Sequence, residues 1–341
     1  MWEMSAVTLK DIAKKLAISE ATVSLALSNH PGVSSKTKER VLQCAKEMDY
    51  IPNPIARGLA TKRTMTIGCV CPDPENPCYG KLIKRISYYC SSWGYSLILS
   101  VSGDDPVREG EVVKQLINCC VDGIIVMPLN IRRNDHPAFE SLYNIPHVFA
   151  ISYYEGFEDE CILTDYATGS YQLTRSLLAS GHRSIWYLVT KDTELPVSKL
   201  RLDGWRRAYE ERGLECSPDW IIPCDYADSG FAYYITKRIL GDRRRPDAIC
   251  TLNDYLATGV RQAIVDSGYR IPDEISLAGY DDALGGFFMD TPLTTVRQDI
   301  DTIAKECLRY LMKRINPGLV LEEPIEQVIP PELIIRKTTR M

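Results

Sequence analysis

The chain has 341 residues, of which 45% are apolar and 25% charged, with a formal net charge of −5. These are ordinary globular values, and the length suits a small head on a large body rather than one small domain. No apolar run approaches the roughly 18 residues of a spanning helix, and no apolar signal segment precedes the first predicted helix, so neither membrane insertion nor export is expected and the expected location is the cytoplasm. The charge is unevenly divided: residues 1–64 carry ten Lys/Arg and six acids, a balance of +4, which leaves 30 basic and 39 acidic residues, or −9, for the remainder. Opposite signs in the two parts fit a nucleic-acid-binding head on an acidic body.

Three short helices open the chain. Thr8 caps the first, with Asp11 three residues on and Leu9, Ile12, Ala13 and Leu16 on one apolar face. Ser19 caps a second that runs to about Leu27, with Val23, Ala26 and Leu27 inward. Ser34 or Ser35 opens a third, whose Val41, Leu42, Ala45 and Met48 are spaced for the same small core. Only Ala17-Ile18 separates the first two, so the pair crosses steeply as in a helix-turn-helix. Ser19, Thr22 and Ser24 are suited to phosphates, while Glu20, Ala21 and Leu25 lie where base edges are met.

Pro52-Asn53-Pro54-Ile55-Ala56-Arg57-Gly58-Leu59 follows, with Asn53 as cap and Pro54 at the first helical position. So short a helix is unstable alone, because nucleation costs more than a few hydrogen bonds return. A peg that orders against a partner is the natural inference. The stretches Ser-Glu-Ala-Thr-Val-Ser-Leu-Ala-Leu (19–27) and Tyr50 to Thr64 resemble the headpiece and hinge helix of the lactose-repressor (LacI/GalR) family of transcription regulators. That resemblance implies a pseudo-palindromic operator, a homodimer and a pair of hinge helices in the central minor groove. The implied DNA-contacting set is Thr8, Ser19, Glu20, Ala21, Thr22, Ser24, Leu25, Ser28, Asn29, Asn53, Ala56, Arg57 and Leu59, with Leu59 as the wedge at the central base step. Leu25 stands where many members carry Arg, which exchanges a guanine contact for an apolar group suited to a thymine methyl. Ser28 replaces the usual Asn at the end of the recognition helix.

From residue 65 strands and helices alternate. Strands are expected at 65–71, 95–101, 123–127, 146–151, 185–189, 220–223, 248–252 and 275–280. Helices are expected at 79–93, 107–120, 169–179, 200–212, 230–240, 256–267 and 300–315. Such alternation marks doubly wound parallel sheets, here in two similar lobes. Gly181-His182-Arg183, Arg201 with Gly204, Asn253-Asp254 with Gly259, Gly279-Tyr280-Asp281-Asp282, Pro292 to Val296 and Pro331 to Arg336 carry the resemblance through the body. It implies a periplasmic-binding-protein-like fold with a small effector between the lobes, carbohydrate being the family's commonest class. The expected divisions are a headpiece at 1–51, a hinge and linker at 52–64, a first lobe at 65–180 and 297–328, and a second at 181–296 and 329–341.

By the same resemblance Arg201, Asn253 and Asp281 form the polar effector contacts, joined by Cys78, Tyr79, Thr168 and the aromatic Tyr226. A guanidinium, an amide and a carboxylate together supply the donors and acceptors that grip sugar hydroxyls. Asp254 and His182 read as structural. Catalysis has no constellation to rest on: no two glycines have the spacing of a dinucleotide fingerprint, a nucleophile elbow or a phosphate loop, and the four histidines offer no zinc pair. No cofactor or metal is expected. The twelve cysteines include no C-x-x-C; buried, reduced thiols are the expected state, and Cys69/Cys71 and Cys119-Cys120 are the only close pairs.

Overall fold

The computed structural model describes residues 7–50, 63–129, 139–142, 144–224, 229–241, 245–283 and 291–340. The chain divides into two units, Met1–Thr64 and Met65–Met341.

In the first unit, helix α1 (Leu9–Leu16) begins in a capping box. The Thr8 hydroxyl takes the Asp11 N–H, and the Asp11 carboxylate takes the Thr8 N–H at 2.9 Å. Ala17 then turns the chain with a φ of 54°, which lets α2 (Glu20–Leu27) start almost at once. Helix α3 (Ser35–Glu47) closes the bundle. Ile12, Ala13, Val23, Ala26, Val41, Cys44 and Ala45 form its core. Leu42 is a correction: it is 54% exposed, and Cys44 fills the inward position instead. The pairs 41/44/45 and 48 fit one face of a 3.6-residue helix, whereas residue 42 lies about 100° away.

The second unit holds two six-stranded sheets of the same strand order. The first contains β1 (Thr66–Cys71), β2 (Ser96–Val101), β3 (Gly123–Val126), β4 (His147–Ala150), β5 (Cys161–Thr164) and a late strand β11 (Val328–Ile329), in the order β11-β5-β4-β3-β1-β2. The second contains β6 (Ile185–Thr190), β7 (Ile221–Cys224), β8 (Ala248–Thr251), β9 (Ser276–Asp281), β10 (Thr294–Arg297) and β12 (Glu332–Ile334), in the order β12-β10-β9-β8-β6-β7. All pairings are parallel except β10 with β12. Central β1 and β3 are apolar and buried throughout nearly their whole length, as strands covered on both faces must be, while no residue of the edge strand β2 is fully buried.

Helices α4 (Pro77–Ser92), α5 (Pro106–Asn118) and α10 (Ile300–Ile315) belong to the first sheet; α7 (Pro196–Glu210), α8 (Ser229–Gly241) and α9 (Asp254–Asp266) belong to the second. Helix α6 (Tyr166–Ala179) starts three residues earlier than expected, because the Asp165 carboxylate caps it through the Thr168 N–H at 2.9 Å. It packs on α7, β10 and β12, so it lies with the second sheet and not before a boundary at 180. The first crossing between lobes therefore follows β5. Later crossings follow β10 and β11.

Close helix contacts explain two glycines. A Cβ on Gly204 would lie 2.1 Å from the Ala167 carbonyl oxygen, and one on Gly259 would lie 1.9 Å from that of Ser229. Both clashes are with backbone, which cannot rotate aside. Gly204→Ala is expected to destabilise the body by about 3 kcal/mol, the upper end of overpacking costs. A urea midpoint equal to the wild type would show that α6 and α7 part freely. His182 ties α6 to the second sheet, with Nδ1 at 2.9 Å from the Leu177 carbonyl and Nε2 at 2.8 Å from Ser276 Oγ. No described helix is long and apolar enough to cross a membrane.

Candidate functional site

The first unit presents one coherent polar face. Ser19, Glu20, Ala21, Ser24, Leu25, Ser28 and Asn29 are all exposed, and Thr22 is half-buried beside them. Ser19 Oγ accepts the Thr22 N–H at 3.1 Å and lies 2.8 Å from the Thr22 hydroxyl, so the cap and the candidate phosphate contacts are the same atoms. Leu25 is 41% exposed in mid-helix, an apolar group with no share in the core. Ser28 ends α2 by donating to the Leu25 carbonyl at 3.1 Å. Asn29 follows with a φ of 56°, held by the Lys38 ammonium, which donates to its carbonyl and its side-chain oxygen at 3.1 and 2.8 Å. Thr8 is exposed, but its hydroxyl donates to Asp11 at 2.7 Å within the capping box. Asn53, Ala56, Arg57 and Leu59 lie outside the described residues.

The second unit encloses a cavity of about 790 Å³ between its lobes. Its walls come from the carboxyl ends of the strands: Pro72 after β1, Pro128 after β3, Ile151 after β4, Tyr166 after β5, Thr190 in β6, Asn253 after β8, Asp281 in β9 and Gln298 after β10. This is where ligands sit in open parallel sheets, and two facing sheets of the same order put two such edges together.

Arg201, on α7, is the centre of the site. It is 2% exposed, and its guanidinium carbon rests in the notch between two tyrosine rings, 4.2 Å from the Tyr166 centroid and 4.1 Å from that of Tyr280. Its Nη2 is 3.8 Å from Asp281 Oδ1, too long for a good hydrogen bond, and among the described residues its Nε and Nη1 have no hydrogen-bond partner. Buried N–H groups of a cation are costly to leave unmade, and Arg201 lies in the wall of the cavity.

Asp281 answers it from the end of β9. Its Oδ1 accepts from Gln298 Nε2 at 2.6 Å, and the same nitrogen lies 3.9 Å from the Cys78 sulfur of the other lobe. Its backbone φ is 104° and that of Asp282 is 51°, an uncommon pair of left-handed non-glycine residues. Burial raises the Asp281 carboxyl to about 6, against the lowering influence of Arg201 and Gln298. Gln298 Oε1 in turn accepts from Thr164 at 2.8 Å and Tyr166 at 3.1 Å, so one amide joins both lobes beside the cavity. Asn253 caps α9 by accepting the Leu256 N–H at 2.8 Å, which directs its NH2 group as the donor for a ligand.

Cys78, Tyr79, Arg201, Asn253 and Asp281 therefore line one cavity. Thr168 does not: it is two residues beyond Tyr166 on α6, about 200° round the helix, and Tyr166 lines the cavity instead. Tyr226 lies outside the described residues. Tyr166, Tyr280 and Gln298 were not anticipated. The cap at Asp165 was the available signal for Tyr166, whereas Gln298 reaches the site only through the crossing after β10. Asp254 is structural, accepting from Thr295 Oγ1 at 2.6 Å and from the Ala283 N–H at 2.9 Å.

A three-helix DNA-reading head and a two-lobed ligand-binding body define a ligand-responsive DNA-binding regulator. A model described as "Bacterial regulatory proteins, lacI family" matches residues 8–53, and one described as "Periplasmic binding protein-like domain" matches residues 174–339. The HTH-type transcriptional repressor PurR of Mannheimia succiniciproducens is 31% identical over 333 residues, 98% of each chain. The ribose operon repressor of Haemophilus influenzae is 30% identical over 332 residues, 97% of this chain and 98% of that one. Among solved structures, the Lac repressor dimer bound to operator and the anti-inducer ONPF superposes with a TM-score of 0.84 at 26% identity, covering 99% of this chain and all of that one. The chain belongs to the lacI family of bacterial regulatory proteins and is a DNA-binding transcriptional regulator, not an enzyme.

Proposed function

We propose that the protein is a repressor that binds a pseudo-palindromic operator as a homodimer, and that a neutral sugar held between the lobes controls this binding. The observation that carries the reading is Arg201, buried next to the carboxylate of Asp281 with two of its nitrogens unpartnered among the described residues. A hydroxyl between them can accept from the guanidinium and donate to the carboxylate, a pairing that a neutral polyol supplies. Among the described residues the cavity wall has four acids (Asp73, Asp104, Asp192, Asp281) against two bases (Lys191, Arg201), a balance that disfavours a phosphorylated or carboxylated ligand. A nucleobase is the second reading, favoured by Tyr79, Tyr166 and Tyr255 in the wall, which offer faces for a flat ring. A thermal-shift panel of pentoses, hexoses, their phosphates and nucleobases on the full chain separates these. A ligand at about 100 times its Kd adds roughly 2.7 kcal/mol to stability. Stabilisation by a sugar phosphate and not by any neutral sugar would overturn the proposal.

The DNA arm rests on the exposed face of α2 and on the hinge residues Asn53, Ala56, Arg57 and Leu59. Inserting a leucine at a base step costs a few kcal/mol and is offset by contacts with the bent duplex. Leu59→Ala is expected to weaken operator binding tenfold or more, by roughly 1.4 kcal/mol at least, while nonspecific binding, which is mainly phosphate electrostatics, stays near the wild type. Equal loss on operator and random duplex would count against the wedge.

A further inference from the structure

Exposure sorts the cysteines of this chain into two kinds. Nine of the twelve are buried and Cys216 is half-buried, which leaves Cys119 and Cys120 as the exposed thiols. Burial pushes the Cys71, Cys90 and Cys250 thiols up to about 12, so the interior sulfurs are inert packing groups. The exposed pair is different in kind because the two residues are adjacent.

They occupy the turn between α5 and β3. Cys119 caps α5, its N–H donating to the Gln115 carbonyl at 2.9 Å, and Cys120 turns the chain with a φ of 55°, its N–H donating to Ile117 at 2.9 Å. The turn is also fixed from the far side: the Asp122 N–H donates to the Thr66 carbonyl at 2.8 Å, and the Met65 N–H donates to the Asp122 carboxylate at 3.1 Å. Two thiols are thus held on a braced, solvent-facing corner.

Geometry decides what such a pair does well. Cα atoms across one trans peptide are about 3.8 Å apart, less than the roughly 4.4–6.8 Å that an unstrained disulfide spans. Direct S–S closure therefore works against the backbone. One bridging atom of large radius lengthens the span between the sulfurs and removes the conflict. Soft thiolates favour soft acceptors, and a bridging centre needs only two open positions here.

We propose that Cys119 and Cys120 form a two-thiol site for monosubstituted trivalent arsenicals, compounds of the type R–As(OH)2. The two S–H and two As–O bonds break, two As–S bonds form, and each thiol proton leaves with one hydroxyl as water. Arsenic stays trivalent, so no oxidant or reductant takes part. The count of exchangeable groups sets the class: R–As(OH)2 has two, matching two thiols. Inorganic arsenite has three, and among the described residues no group of three or more His, Cys, Asp or Glu is placed to hold one ion.

The test uses the full reduced chain and phenylarsine oxide, read by intact mass. One equivalent should add, resist excess glutathione and be removed by dimercaptopropanol, because chelation by two thiols outlasts a single As–S bond. Cys119→Ser and Cys120→Ser, each at an exposed position, should both lose the glutathione-resistant adduct, while Cys216→Ser keeps it. A resistant adduct that persists in both serine variants, or its absence from the wild type, overturns the assignment.

Discussion

Replacing Arg201 with alanine is expected to remove the effector response while effector-free operator binding stays at its wild-type level. The guanidinium is buried, unpartnered at two nitrogens among the described residues and fixed in the notch between Tyr166 and Tyr280, so its geometry is set before any ligand arrives. Hydrogen bonds to a charged group are worth about 1.5–3 kcal/mol each. Losing two of them lowers ligand affinity by roughly hundredfold or more. Arg201→Lys is the sharper variant, because it retains the charge but not the planar fork and should bind nearly as weakly. Isothermal titration with the sugar found by thermal shift checks both. Unchanged affinity in the lysine variant would reduce Arg201 to a point charge.

Asp254→Asn is expected to stabilise the chain in alkaline solution and not in acid. Asp254 is 2% exposed, and burial, assisted by the neighbouring Asp281 charge, raises its carboxyl to about 8. A carboxyl near 4 in the unfolded chain and near 8 in the folded one resists ionisation in the fold. Its contribution to stability is therefore fully present below about pH 4, falls as the pH rises toward 8 and is flat above that. Asparagine stays neutral throughout and keeps partners for Thr295 and the Ala283 N–H. Its advantage should grow between those limits and reach a few kcal/mol at about pH 9. Urea midpoints at pH 5 and pH 9 measure it, and a variant less stable than the wild type at pH 9 would contradict the assignment.

Much of this architecture was readable before any coordinates. Helix α10 runs over the expected Ile300–Ile315, because its apolar positions repeat at helical spacing and Asp299 caps it through the Thr302 N–H at 3.1 Å. The capping box at Thr8 and the cap at Ser19 are local chemistry, so they were legible too. Four of the strands were not. Cys161–Thr164, Thr294–Arg297, Val328–Ile329 and Glu332–Ile334 are two to four residues long, and their extended form is fixed by the neighbours they pair with. The same distinction holds in the cleft. Arg201, Asn253 and Asp281 stood out by resemblance, and the structure brings them to one cavity. Gln298 acquires its place only because the chain crosses between lobes there, and Thr168, named by resemblance, lies outside the cavity wall.

The most direct measurement is operator affinity of the full chain, by fluorescence anisotropy on a duplex selected from a random pool, with and without the sugar that stabilises it. Coupling of about 1–3 kcal/mol between sites is typical. The account predicts a shift in operator Kd of roughly 5-fold to 150-fold with the neutral sugar, none with its phosphate, and none with either in Arg201→Ala. An operator Kd that the bound sugar leaves unchanged would contradict it.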